Sequence, residues 1–239
     1  MTSVFSPVHQ LEAEEVRPVA EVTYLGSVNG ILAALRRMRP RNAGTIVQVG
    51  SALAYRAIPL QASYCGSKFA IRGFVDSLRC ELLHEKSAVR ITTVHMPALN
   101  TPQFGWVRTR LPNHPQPVPP IYQPEVAARA IVWAADHPRR EFWVGYPTVG
   151  AIVANHLVPG LLDRYLARTN VEAQQTDQPL AAERSDNLDE PVEGSQAAHG
   201  IFDAQAKSRS LQSRLSMHRR AVVGAASGVA VGLAIHRRI

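Results

Sequence analysis

Residues Gly44 to Lys68 read GTIVQVGSALAYRAIPLQASYCGSK. Thr45-Ile46-Val47-Gln48-Val49 is a short apolar, β-branched run between Gly44 and Gly50, the pattern of a buried strand that ends at a tight turn. Ser51 falls where that strand ends, and a loop containing Pro59 follows. Tyr64 and Lys68 then stand four residues apart at the start of a long helical pattern, which puts both on one face of one helix, one turn apart. A hydroxyl, a phenol and an ammonium are therefore expected around one point.

Such a trio suits proton transfer to or from an alcohol or carbonyl oxygen. A tyrosine with its ordinary pKa of roughly 10 is a poor base near neutrality, and a nearby ammonium favours its phenolate. Lys68 is expected to supply that field. The Ser51 hydroxyl would hold the substrate oxygen by a hydrogen bond while Tyr64 passes the proton. A Tyr-x-x-x-Lys pair also arises by chance, so the surrounding text decides its weight.

Ser51 lies thirteen residues before Tyr64. The run of strand, Gly50-Ser51, loop, Tyr64-x-x-x-Lys68 and helix resembles the catalytic core of the short-chain dehydrogenases/reductases, over residues 12 to 168. After a second strand, 89 to 95, Met96-Pro97-Ala98-Leu99-Asn100-Thr101-Pro102 is similar to that family's Pro-Gly-x-x-x-Thr segment, with Ala98 in place of the glycine. The resemblance implies an α/β fold built on part of a Rossmann-like, doubly wound parallel sheet, its carboxyl-terminal half. It implies NAD or NADP as cofactor and a small alcohol or carbonyl compound as substrate. Tyr64 would be the general acid/base, Lys68 its electrostatic partner and ribose ligand, and Ser51 the donor to the substrate oxygen. Pro97 and Thr101 would touch the nicotinamide end. The helix from Leu11 to Met38 and the Tyr64 helix resemble the pair through which family members form homodimers. In Val22-Thr23-Tyr24-Leu25-Gly26, Thr23 stands where the family normally has an asparagine that relays protons, so that relay does not carry over.

The family opens with a strand, a Thr-Gly-x-x-x-Gly-x-Gly turn and a helix whose N-terminus binds the dinucleotide pyrophosphate. Neither this turn nor the family's Asn-Asn-Ala-Gly motif occurs here, and Met1 to Ser6 resembles the text that follows the latter. The chain thus resembles a truncated member that begins after the fourth strand, with three strands left and Thr45–Val49 at an exposed edge. Two readings stay open: a longer chain exists, or this is a product that cannot hold NAD(P) tightly. An oxidoreductase is the expectation. Its alternative is a non-catalytic protein that dimerises through the two long helices, tethered to a membrane.

Composition narrows the classes. The formal charge of +7 is uneven. Residues 1 to 168 hold eighteen Lys/Arg against eleven Asp/Glu, 169 to 206 one against eight, and 207 to 239 seven against none. The densest basic cluster, Arg36, Arg37, Arg39 and Arg41, ends a helix, where cations complement the dipole; nucleic acid is not an expected partner. Cys65 and Cys80 are the two cysteines, with neither metal spacing nor a disulfide framework. The nine histidines are scattered, and no metal site is expected. Early acidic residues Glu12, Glu14 and Glu15 argue against a signal peptide, so a cytoplasmic chain is expected.

Further along, helical patterns cover Leu11 to Met38, with Pro18 discordant, and Tyr64 to His84. The proline-rich stretch from Pro112 to Pro124 reads as a stiff lid over the substrate. A helix over 125 to 135, a strand over 142 to 145 and a helical pattern over 149 to 168, interrupted at Pro159-Gly160, complete a domain spanning 1 to 168. Trp106, Tyr146 and Tyr165 are the aromatic candidates for the pocket wall, with ordinary core or surface placement as the alternative. Residues 169 to 215 read as a disordered linker, acidic then basic. The tail, 216 to 239, carries an apolar run over 221 to 235 between arginine pairs, with Gly224, Gly228 and Gly232 four apart. At about 22 Å that run is shorter than a bilayer core of about 30 Å. Membrane contact and docking on a protein surface both remain open for it.

Overall fold

The computed structural model of the chain describes residues 2–181, 184–193 and 197–219. It opens with a buried two-residue strand, β1 (Val4–Phe5). Helix α1 (Ala13–Ala20) starts in a capping box: Glu15 accepts the Glu12 backbone N–H at 3.1 Å, and Glu12 returns the bond to the N–H of Glu15. Pro18 does not end the helix. A π turn, Glu21–Leu25, follows it and leads without a break into α2 (Gly26–Met38), one of the ways in which helices absorb an interruption in their bonding ladder. By length and composition alone the Ala13–Met38 helix is apolar enough to cross a membrane. Val19, Ile31 and Leu35 are buried in the protein, while Val22, Leu25 and Leu32 of the same helix are exposed.

Strand β2 (Thr45–Ser51) comes next, then α3 (Ala62–His84) and β3 (Arg90–Met96). On α3, Ile71, Val75, Leu78 and Leu82 recur at helical spacing and meet Ile31 and Leu35 of α2, Ile46 of β2 and Ile91 of β3. Each aliphatic side chain buried in this layer contributes roughly 1.5–3 kcal/mol. Two short strands, β4 (Arg108–Thr109) and β5 (Asn113–Pro115), precede α4 (Pro124–Asp136) and β6 (Glu141–Trp143). Ala127, Ala130 and Ala134 let α4 lie close to the sheet, against Val94, Met96 and Phe142. Helices therefore cover both faces, which is why the strands carry apolar residues on both sides.

The main sheet is parallel, in the order β2-β3-β6. Its register runs from Thr45 opposite Arg90 to Ser51 opposite Met96, and from Thr93 opposite Glu141 to His95 opposite Trp143. As expected, three neighbouring strands are present and β2 lies at an edge, with Val49 41% exposed. β1 pairs separately, in parallel, with β4.

Helices α5 (Tyr146–Leu157) and α6 (Pro159–Thr169) divide at Pro159, as the sequence predicts. Beyond them the structure departs from the expected disordered linker. Strand β7 (Gln175–Pro179) pairs antiparallel with β5, and helix α7 (Leu211–Met217) is capped by Ser210. Leu188 and Phe202 are buried. The acidic charge that suggested disorder is met by cations from elsewhere: Arg108 pairs with Asp186 at 2.8 Å and with Asp189 at 2.6 Å. Arg184 donates to the carbonyls of Phe104, Gly105 and Val107. Two apolar anchors and these bonds offset the ordering entropy that composition alone implies is prohibitive. The apolar run over 221–235 lies outside the described residues.

Candidate active site

Strand β2 delivers Ser51 at its last position, where the backbone is extended and Oγ accepts the Leu53 N–H at 3.1 Å. That bond occupies a lone pair and leaves the hydroxyl proton to donate. The first two turns of α3 carry Tyr64 and Lys68, both buried. Lys68 Nζ donates to the Val49 carbonyl at 3.2 Å and sits 5.5 Å from the centre of the Tyr64 ring. Only one of its three donors has that partner, so it has capacity for further hydrogen bonds.

Burial dominates the electrostatics of the pair. Burial pushes the Tyr64 phenol well above its ordinary value, the neighbouring Cys65 adds to this, and the Ser51 side chain opposes it. Burial also pulls the Lys68 ammonium down to about 8. Loss of water is the largest cause of both shifts and disfavours both charged forms. At neutral pH the Tyr64 phenol therefore keeps its proton.

Behind Ser51 lies a residue that the sequence reading passed over. His95 is fully buried on β3, directly opposite Gly50, and its Nδ1 donates to the Ser51 carbonyl at 3.0 Å. A Cβ at Gly50 would come within 2.8 Å of His95 Nδ1 and of Thr93 Cγ2, so the glycine before Ser51 makes room for this imidazole. Burial holds His95 below its ordinary value, with Glu141 opposing. Glu141 lies 3.7 Å from His95 Nε2 and accepts hydrogen bonds from the Tyr55 hydroxyl and from Trp143 Nε1. The signal for His95 exists only in the strand register, where position 50 meets position 95.

Pro97 and Thr101 follow β3 and are half-buried. Ser51, Tyr64, Lys68, Pro97 and Thr101 all line one cavity of about 620 Å³, together with Thr23. It opens at the carboxyl ends of β2 and β3, where ligands bind in open α/β sheets. Pro117 and Pro119 of the proline-rich stretch form part of its wall, in keeping with the lid reading. The aromatic expectation is not met. Tyr146 and Tyr165 are exposed and Trp106 lines a separate pocket, whereas the ring-bearing wall comes from Phe5 and Phe104. On α6, Leu162 and Leu166 are four apart and face inward, which turns Tyr165 to the surface.

A parallel α/β sheet with a Ser, a Tyr and a Lys gathered at its strand ends defines a recognisable class of protein, and the comparisons agree with it. Residues 2–110 match the family model described as short chain dehydrogenase. An uncharacterized oxidoreductase, YxnA, of Bacillus subtilis is 29% identical over 179 residues, covering 74% of this chain and 50% of that protein. An uncharacterized oxidoreductase of Mycobacterium tuberculosis, Rv1543, is 33% identical over 144 residues, covering 60% and 40%. The chain thus spans half or less of the length of these relatives. Among solved structures, a short chain dehydrogenase from Burkholderia cenocepacia in complex with NADP aligns with a TM-score of 0.58 and 25% identity, over 69% of this chain and 65% of that one. One from Streptomyces avermitilis aligns at 0.53 and 19% identity, over 71% and 65%, and speaks to the fold alone. Residues 2–110 are thus similar to the short-chain dehydrogenases, and these relatives and the Burkholderia cenocepacia structure share that likeness.

Proposed function

We propose that the protein is an NAD(P)-dependent oxidoreductase that interconverts an alcohol and a carbonyl. The observation that carries this reading is the convergence of Ser51, Tyr64 and Lys68 with Pro97 and Thr101 on one cavity. The residues fit the nicotinamide-ribose end of such a cofactor. Lys68 has donors to spare, and the hydroxyls of Ser3 and Thr23 on the same wall are buried without a hydrogen-bond partner among the described residues. When bound, the nicotinamide supplies or accepts the hydride. Ser51 donates to the carbonyl oxygen and orients it. Tyr64, protonated at neutral pH, gives its proton to that oxygen as it becomes an alcohol. Lys68, charged below about pH 8, stabilises the phenolate left behind. In the opposite direction the same groups move the proton the other way.

Titration of the protein with NADH and with NADPH, followed by nicotinamide fluorescence, tests this. Saturable binding of at least one is expected, weakened tenfold or more by Lys68→Met, which removes the ribose donors. Binding of neither dinucleotide overturns the reading.

The same reading includes pairing of two copies through α2 and α3. Leu25 and Leu32, seven apart on the first long helix, and Phe69 on α3 are exposed apolar side chains, an arrangement typical of surfaces that are covered in an assembly. A dimer is expected in sedimentation velocity, and Phe69→Lys shifts it to monomer; a wild-type chain that sediments as a monomer at micromolar concentration removes this proposal.

A further inference from the structure

We propose that the cavity selects a neutral, largely apolar alcohol or ketone and rejects substrates that carry a carboxylate, a phosphate or an ammonium group. The proposal rests on the oxidoreductase reading and adds the substrate class. Its basis is the charge inventory of the wall. Among the described residues no Asp or Glu lines the cavity, so an ammonium on the substrate meets no counter-ion. Two cations line it, Lys68 and Arg56. Lys68 belongs to the reacting centre, where it is hydrogen-bonded to Val49 and adjoins the Tyr64 ring. Arg56 is already committed: its guanidinium pairs with Asp163 and donates to Asn155 Oδ1 at 3.3 Å. Its Nε has no hydrogen-bond partner among the described residues, but its charge is balanced by Asp163. Asp163 and Asn155 take up two of its five N–H donors, and Asp163 leaves the pair without net charge.

The remaining polar groups on the wall are neutral. Gln61 is bonded to Gln174 at 2.7 Å, and Gln174 in turn reaches Asn170. The Thr148 hydroxyl is buried on the wall without a partner among the described residues, which suits a second neutral oxygen. Much of the rest of the wall is hydrocarbon, from Leu53, Ile58, Leu99, Phe104, Leu162 and Leu166, interspersed with neutral amides and hydroxyls. An unpaired charge placed there loses its water with nothing in return. Each methylene buried in such a wall, by contrast, tightens binding about fourfold.

Calorimetric titration without cofactor isolates this proposal from turnover. The probes are 2-octanone, 7-oxooctanoate and 7-amino-2-octanone at pH 7. The expected result is measurable binding of 2-octanone, with both charged analogues at least a hundredfold weaker. Ala151→Phe, which places a ring in the cavity, removes the binding of 2-octanone, and Leu162→Lys raises the affinity for 7-oxooctanoate at least tenfold. Thermal unfolding of each variant shows whether it is folded, and Ala151→Phe alone decides if Leu162→Lys is not. A charged analogue that binds as tightly as the ketone overturns the proposal. So does 2-octanone binding that survives Ala151→Phe, because the ligand would then be held outside this cavity. Selective binding of the ketone without turnover of any alcohol or ketone would instead overturn the oxidoreductase reading while leaving the apolar selectivity of the cavity in place.

Discussion

Tyr64→Phe lowers kcat for carbonyl reduction by about a thousandfold, within the 10²–10⁴ range that general acid catalysis supplies, and leaves dinucleotide affinity within about twofold. The change removes one oxygen. The ring keeps its packing against Val4, Val19 and Leu188, so the fold is retained and the loss falls on chemistry. Ser51 can still orient the substrate oxygen, but no group replaces the proton source: burial holds Lys68 by the Val49 carbonyl, and His95 is turned to the Ser51 backbone. Because burial raises the Tyr64 phenol, it stays protonated across neutral pH, and the reduction rate is flat there. The rate falls as pH rises through about 8, where Lys68 loses the charge that stabilises the departing phenolate. Steady-state rates of the wild-type and variant proteins from pH 6 to 10 check both statements; unchanged turnover in Tyr64→Phe removes the role assigned to it.

The parts of this site that could be read in advance are those set by local periodicity. A β-branched run between Gly44 and Gly50 places Ser51 at a strand end, and a four-residue step on a helix aligns Tyr64 with Lys68. Pro97 and Thr101 follow β3 in text that resembles the family, and the structure brings them to the same cavity. What escaped depends on pairings between distant residues. His95 matters because the register sets it against Gly50, and no spacing along the chain shows that. The sign of the Tyr64 shift depends on how much water the fold removes, which a helical pattern does not report. Residues 169 to 206 look disordered because their acidic charge is judged alone, while their cation, Arg108, lies about eighty residues upstream. On α6 the inward face carries Leu162 and Leu166, so its aromatic residue, Tyr165, takes the surface placement that the sequence leaves open.

Lys68→Met makes the protein more stable at pH 7, by about 2 kcal/mol, while it removes function. Lys68 is buried beside one backbone carbonyl and no carboxylate bonded to it among the described residues. Burial takes its pKa from an ordinary 10.5 down to about 8. Holding it charged in the folded state at pH 7 therefore costs about 3 kcal/mol. Methionine fills the same stem without a charge. The substitution gives up the hydrogen bond to Val49, worth about 1 kcal/mol, but Val49 is on the exposed edge of β2, where water can replace the donor. The sign follows from proton binding. Below pH 8 both folded and unfolded chains hold the proton and the penalty is complete. Between about 8 and 10.5 the unfolded chain binds a proton that the folded chain has released, so wild-type stability rises with pH through that window. The methionine variant lacks this rise, and its advantage shrinks to near zero by pH 10. Urea unfolding of both proteins at pH 7 and pH 10 measures it. A variant less stable than wild type at pH 7, or an advantage that persists at pH 10, would show that the ammonium is paid for by contacts other than its bond to Val49. The expected pattern identifies Lys68 as a residue kept against stability, which is the behaviour of a group retained for its chemistry.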